Sequence, residues 1–219
     1  MMSTRFDGEL CDFELVCEGQ TISLHKIVIC LQSPVIKAAC TGSFEEASGR
    51  YEMKDCDVAS VWRMVSFLYT GDYNPRKPEE IHEIAVHTAM FALADKYLIG
   101  GLLARSEAYF SKSVMKENNM DILSQHAKQV YGLQFESSKS LRRILVNSFR
   151  ERTAQPAARA DMQQSLDRLM DEVPEIAKDI ALSYIQQPIP TCPCKESKSE
   201  EKPPRKTVVK KRRIADTFY

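Results

Sequence analysis

Between Phe13 and His25 apolar and polar residues alternate on either side of Glu18-Gly19-Gln20, and a period of two predicts a β-hairpin with Phe13, Leu15 and Cys17 on one face. The alternation then stops. "KIVICLQ" and "SPVIKAACTG" predict two short helices, the second with Ser33 as N-cap and Pro34 at the first helical position, where its missing N–H costs nothing. "RYEM" predicts a short strand. Asp57 then caps a stronger helix in which Val58, Val61, Trp62, Val65 and Leu68 recur at helical spacing, which places Trp62 in the core.

Gly71, Asn74 and Pro75 end that helix, and Glu79 to Tyr97 forms the longest amphipathic stretch, with Ile81, Ile84, Ala85, Thr88, Phe91 and Ala92 on one stripe. Gly100-Gly101 separates it from a further helix expected to end near Phe110. From Ser111 to about Gln187 apolar residues recur every three or four positions, so this region reads as helical, with an internal loop at Arg152 to Asp161. Beyond Pro188 the chain turns to Lys, Glu, Pro and Ser, a composition that cannot bury enough apolar area to offset chain entropy, and it is expected to be disordered. The pattern therefore predicts an α+β domain over 1–110, an all-α extension over 111–187 and a tail over 188–219.

Charge sharpens that division. Thirty basic residues balance thirty acidic ones, yet Lys195 to Arg213 holds nine Lys/Arg against three Glu, leaving 21 basic against 27 acidic in the remainder. A folded body of that sign is not a nucleic-acid reader, because phosphate recognition needs basic groups on the folded face. Seven cysteines, five of them without any C-x-x-C spacing, suit free thiols in a reducing compartment. The apolar runs are far too short to span a bilayer, so a soluble intracellular protein without a membrane partner is expected.

Catalytic motifs are weak. "HEIAVH" (His82 to His87) spaces its histidines five apart where the zinc-protease helix needs four, leaving the rings about 140° out of line. "TCPCKE" offers Cys192 and Cys194 but no second pair for a four-ligand zinc site. No phosphate-binding glycine loop and no nucleophile elbow occurs. A Cys-His hydrolase ranks far below a non-catalytic reading, and neither a catalytic residue, a metal nor a cofactor is expected. Lys210, Lys211, Arg212 and Arg213 have the compactness of a nuclear-import signal, pointing to nucleus, cytoplasm or both.

Specific residues then meet this element order. "LCDFELV", "SLHKIVIC", "LQSPVIKAA", "GSFEEA", "FLYTGDY" and "ALADKYLIGGLL" stand in one order over Leu10 to Phe110, and together they resemble the BTB/POZ domain, most closely its short fungal members. The resemblance implies a small three-stranded sheet flanked by helices, and an adhesion module that acts through protein partners without catalysis. In the family's ubiquitin-ligase adaptors an apolar residue and a glutamate two later contact a cullin, which maps onto Phe44 and Glu46. In its transcription factors an aspartate and a basic residue form a charged pocket, which maps onto Asp12 and Lys26. Bottom-up, Asp12 and His25 read instead as paired scaffold groups holding the hairpin to the helix. The resemblance leaves two roles, an adaptor whose C-terminal helices hold a target and a nuclear scaffold or co-regulator without a ligase, with self-association open in both.

Overall fold

A computed structural model describes residues 10–41, 49–75, 82–154 and 159–186. Strand β1 (Phe13–Cys17) and strand β2 (Gln20–Leu24) form the hairpin, in register from Phe13 opposite Leu24 to Cys17 opposite Gln20. Its turn is only Glu18-Gly19, with φ of +47° and +76°. Positive φ at both central residues gives a turn whose twist matches that of the strands, and Gly19 takes it without strain.

Helix α1 (Lys26–Gln32) and helix α2 (Pro34–Thr41) carry the chain across to β3 (Arg50–Glu52), which pairs parallel to β1 and completes a sheet of order β2-β1-β3. Ser33 caps α2 as its position predicts: its Oγ accepts from Ile36 N at 3.2 Å and donates to Tyr97 O at 2.7 Å, fully buried. Asp57 caps α3 (Val58–Thr70) by accepting from Ser60 N at 2.8 Å, and Gly71 ends it at φ +74°, in the left-handed C-cap conformation that glycine adopts freely. Trp62 departs from expectation: it stays 38% exposed on the outer side of α3, whereas Val61, Val65 and Leu68 face the sheet.

Helix α4 (Glu83–Lys96) is buried from two sides rather than along one stripe. Val86, Met90, Leu93 and Ala94 pack into a core with the sheet, α2 and α3, while Ile84 and Phe91 enter a second core. Residues two apart on a helix lie about 200° apart, so Ile84 and Val86 reach opposite layers. Helix α5 begins at Gly100-Gly101, placing the pair inside its first turn rather than between helices, and runs unbroken to Lys116, past the end expected near Phe110. Leu102 serves the first core, Phe110 and Val114 the second.

Four further helices close the second core: α6 (Met120–Tyr131), α7 (Ser138–Thr153), α8 (Arg159–Glu172) and α9 (Pro174–Gln186). The expected loop at 152–161 is shorter, because α7 and α8 each take up part of it. The sheet-and-helix layer followed by an all-helical region is the α+β arrangement the sequence predicts. Residues 10–186 lie within one compact unit. The expected cullin-contact residues Phe44 and Glu46, the Cys192 and Cys194 pair and the import signal Lys210, Lys211, Arg212 and Arg213 fall outside the described residues.

Candidate partner-binding corner

The entry to α1 is built by the residues just ahead of the hairpin. Asp12 N donates to Leu24 O at 3.1 Å, extending the hairpin by one rung, and Asp12 Oδ1 accepts from Lys26 N at 2.7 Å. Lys26 opens α1, and the first N–H groups of a helix lack intrahelical acceptors. His25, the N-cap, makes no side-chain cap bond, so the Asp12 carboxylate supplies that acceptor and sits where the helix dipole favours a negative charge.

This corrects the expected Asp12–His25 pair. His25 bonds instead to Tyr69, 44 residues on: its backbone N donates to Tyr69 Oη at 2.9 Å, and its Nδ1 lies 2.9 Å from the same oxygen. Nε2 faces Cys11 Sγ at 3.9 Å.

The Lys26 ammonium lies toward Gly49, the residue before β3. A Cβ added at Gly49 would stand 3.4 Å from Asp12 O and 3.8 Å from Lys26 Nζ. The segment carrying Phe44 and Glu46 runs from Thr41, at the end of α2, to this glycine, so the two candidate partner sites share a border in the chain. Beneath the corner, burial pushes the Cys40 thiol up to about 11, with the adjacent Cys30 adding to the effect and Lys26 opposing it. Cys40 is therefore a neutral, packed thiol at physiological pH.

The outer face of α1 is apolar. Ile27 is 70% exposed and Leu31, one turn later, 78% exposed, while Ile29 points into the core. Two large apolar side chains on one turn, bordered by a carboxylate and an ammonium, make a surface of the kind that protein partners cover. On sequence, Ile27 reads with Val28 and Cys30 as one of the residues that carry α1 into the core; the structure places it on the outer face instead.

The "YTGDY" segment holds a network that sequence reasoning missed. Tyr109 Oη donates to Asp72 Oδ1 at 2.8 Å, Arg105 Nε stands 3.4 Å from the same oxygen, and Tyr73 Oη lies 2.8 Å from Nδ1 of the buried His87. His82, the other histidine of "HEIAVH", caps α4 and binds Glu117 Oε2 at 2.8 Å. The five-residue spacing separates the two imidazoles, as the helical geometry requires. Burial drives His87 down to about 4, with Glu83 opposing that shift and Arg63 adding to it.

A family model described as BTB/POZ domain matches residues 1–114. The chain is 32% identical over 116 residues to Protein maternal effect lethal 26 of Caenorhabditis elegans, covering 52% of this chain and 28% of that protein. It is 35% identical over 68 residues to human Kelch-like protein 30, covering 31% of this chain and 12% of that protein. The chain thus spans less than a third of the length of each of these two relatives. The solved BTB domain of human gigaxonin aligns with a TM-score of 0.36 at 20% identity, over 44% of this chain and 74% of that one. These relatives are a nematode and two human proteins, whereas the "YTGDY" ending pointed to fungal members.

Because His87 is neutral in the folded chain and titrates near 6.5 when unfolded, its contribution to stability is complete above that pH and falls as the pH drops toward 4. Urea unfolding should lose roughly 3 kcal/mol from this group between pH 6.5 and 4. His87→Gln should flatten that slope, and an unchanged slope would remove His87 as its source.

Proposed function

From the chain's membership of the BTB/POZ family, whose domains are protein-interaction modules, we propose that it is a substrate adaptor for a cullin-type ubiquitin ligase. The observation that carries this reading is the corner just described. Asp12 and Lys26 meet beside Gly49, at the end of the segment that holds Phe44 and Glu46, and the exposed Ile27 and Leu31 continue it along α1. An apolar patch rimmed by opposite charges supplies both the burial and the register that a protein partner needs. Phe44 would serve as the apolar anchor and Glu46 as the charge that aligns it. Self-association through the same α1 face would compete with the cullin for Ile27 and Leu31.

The second reading is a nuclear scaffold or co-regulator without a ligase. Lys210, Lys211, Arg212 and Arg213 support it, since a compact basic cluster on a polar segment is the form an import receptor reads. The likeness to short fungal members belongs to the same level of inference and rests on "YTGDY" alone.

Purified full chain should bind a cullin N-terminal domain, and Phe44→Ala/Glu46→Ala should weaken that binding about tenfold or more, as loss of an interface anchor does. Lys26→Glu should also alter partner binding while leaving the fold intact, because only its backbone N–H holds Asp12. Undiminished affinity in the double variant overturns the loop assignment, and no cullin binding at all favours the scaffold. For the import signal, deleting Lys210 to Arg213 should move a fluorescent fusion out of the nucleus, and an unchanged distribution removes that claim.

A further inference from the structure

We propose that the cleft between α7 and α9 is a docking groove for an acidic peptide segment of a partner protein. The cleft encloses about 310 Å³ and is lined by Lys139, Arg142, Arg143 and Arg150 of α7 and by Asp179 and Leu182 of α9. Among the described residues four cations face a single carboxylate there, and that carboxylate already accepts from Tyr131 Oη at 2.8 Å. Lys139 also pairs with Glu136, outside the lining.

Two of these arginines are fixed in place. Arg142 Nη2 donates to Leu133 O at 3.1 Å and Tyr131 O at 3.3 Å, with its guanidinium 4.7 Å above the Tyr131 ring. Arg150 Nη1 donates to Ser183 O at 2.9 Å, with its guanidinium 4.6 Å above the Tyr184 ring. Stacking and backbone bonds set the plane of each group in advance, so engaging a carboxylate costs little further side-chain entropy.

Shape and charge select the occupant. Arg142 to Arg150 spans about 12 Å of helix, the length of roughly four residues of extended chain. Planar guanidinium forks match carboxylates two bonds at a time. Val146 lies buried between the arginines and Leu182 is half-exposed on the opposite wall, which gives one apolar side chain of the peptide a footing beside its carboxylates. A nucleic-acid strand suits the cleft less well, because the Tyr131 and Tyr184 rings are covered by arginines, leaving no stacking platform there. The inference deepens the adaptor reading by giving the C-terminal helices a recruiting surface, and it names the chemistry of what is recruited.

Fluorescence anisotropy on the full chain tests it, with a fluorescein-labelled eight-residue peptide of alternating Glu and Leu as probe and its Lys-for-Glu counterpart as control. The acidic peptide should bind and the basic one should not. Lys139→Glu/Arg143→Glu, both exposed positions, should weaken binding at least tenfold with an unchanged circular dichroism spectrum, and Arg143→Lys, which keeps the charge but loses the fork, should weaken it by less. No binding of the acidic peptide, equal binding by the charge-reversed variant, or tighter binding of a 20-nucleotide single-stranded RNA or of vesicles with one quarter phosphatidylserine would each overturn the proposal. Lys26→Glu and Phe44→Ala/Glu46→Ala should bind the peptide as the unaltered chain does, which separates failure of the groove from failure of the cullin reading.

Discussion

Helix α4 is packed from two opposite sides, and the rest of the molecule is arranged around that fact. Ile84 and Phe91, seven residues apart and so nearly in line, reach the all-helical core; Val86, Met90 and Leu93 reach the core beneath the sheet. A helix apolar around most of its circumference has to be buried between layers, and α5 repeats the division with Leu102 on one side and Phe110 and Val114 on the other. Ser33 adds a polar tie, capping α2 while donating to the carbonyl of Tyr97 at the C-terminal end of α4. The helices after α5 therefore share their framework with the sheet layer.

That framework gives the two proposed recognition surfaces fixed positions. The corner at α1 is held by backbone-directed bonds, Asp12 accepting from the Lys26 N–H and Tyr69 from the His25 N–H, and the outer face of α1 is exposed among the described residues. In the α7–α9 cleft, Tyr131 and Tyr184 steady two guanidinium groups in the same manner. Each site is built so that the fold consumes the backbone and aromatic contacts and exposes the charge.

Local features were legible in the sequence, and contacts across long separations were not. The hairpin, the Ser33 and Asp57 caps and the short helices all depend on neighbours a few residues away, so propensity and period disclose them. Trp62 sits at core spacing, but among the described residues no layer fully covers that side of α3, and nothing near it in sequence says so. The burial of α4 on two faces required knowing that α6 packs against it and that the second core closes over Ile84 and Phe91. Asp12 and His25 were expected to pair because both are polar and near in sequence; Asp12 instead accepts from the backbone N–H of Lys26, and the backbone N–H of His25 donates to a tyrosine 44 residues away. The arginine groove was illegible for the same reason, since its two walls meet only in the fold.

The central claim is that the sheet layer and the following helices form one cooperative body through α4. Hydrogen-exchange mass spectrometry of the full chain across a urea series tests it directly, comparing peptides from α3, in the first core, with peptides from α7, in the second. Protection should be lost from both at the same urea concentration. Loss of protection in α7 at a clearly lower concentration, with α3 still protected, would contradict the account.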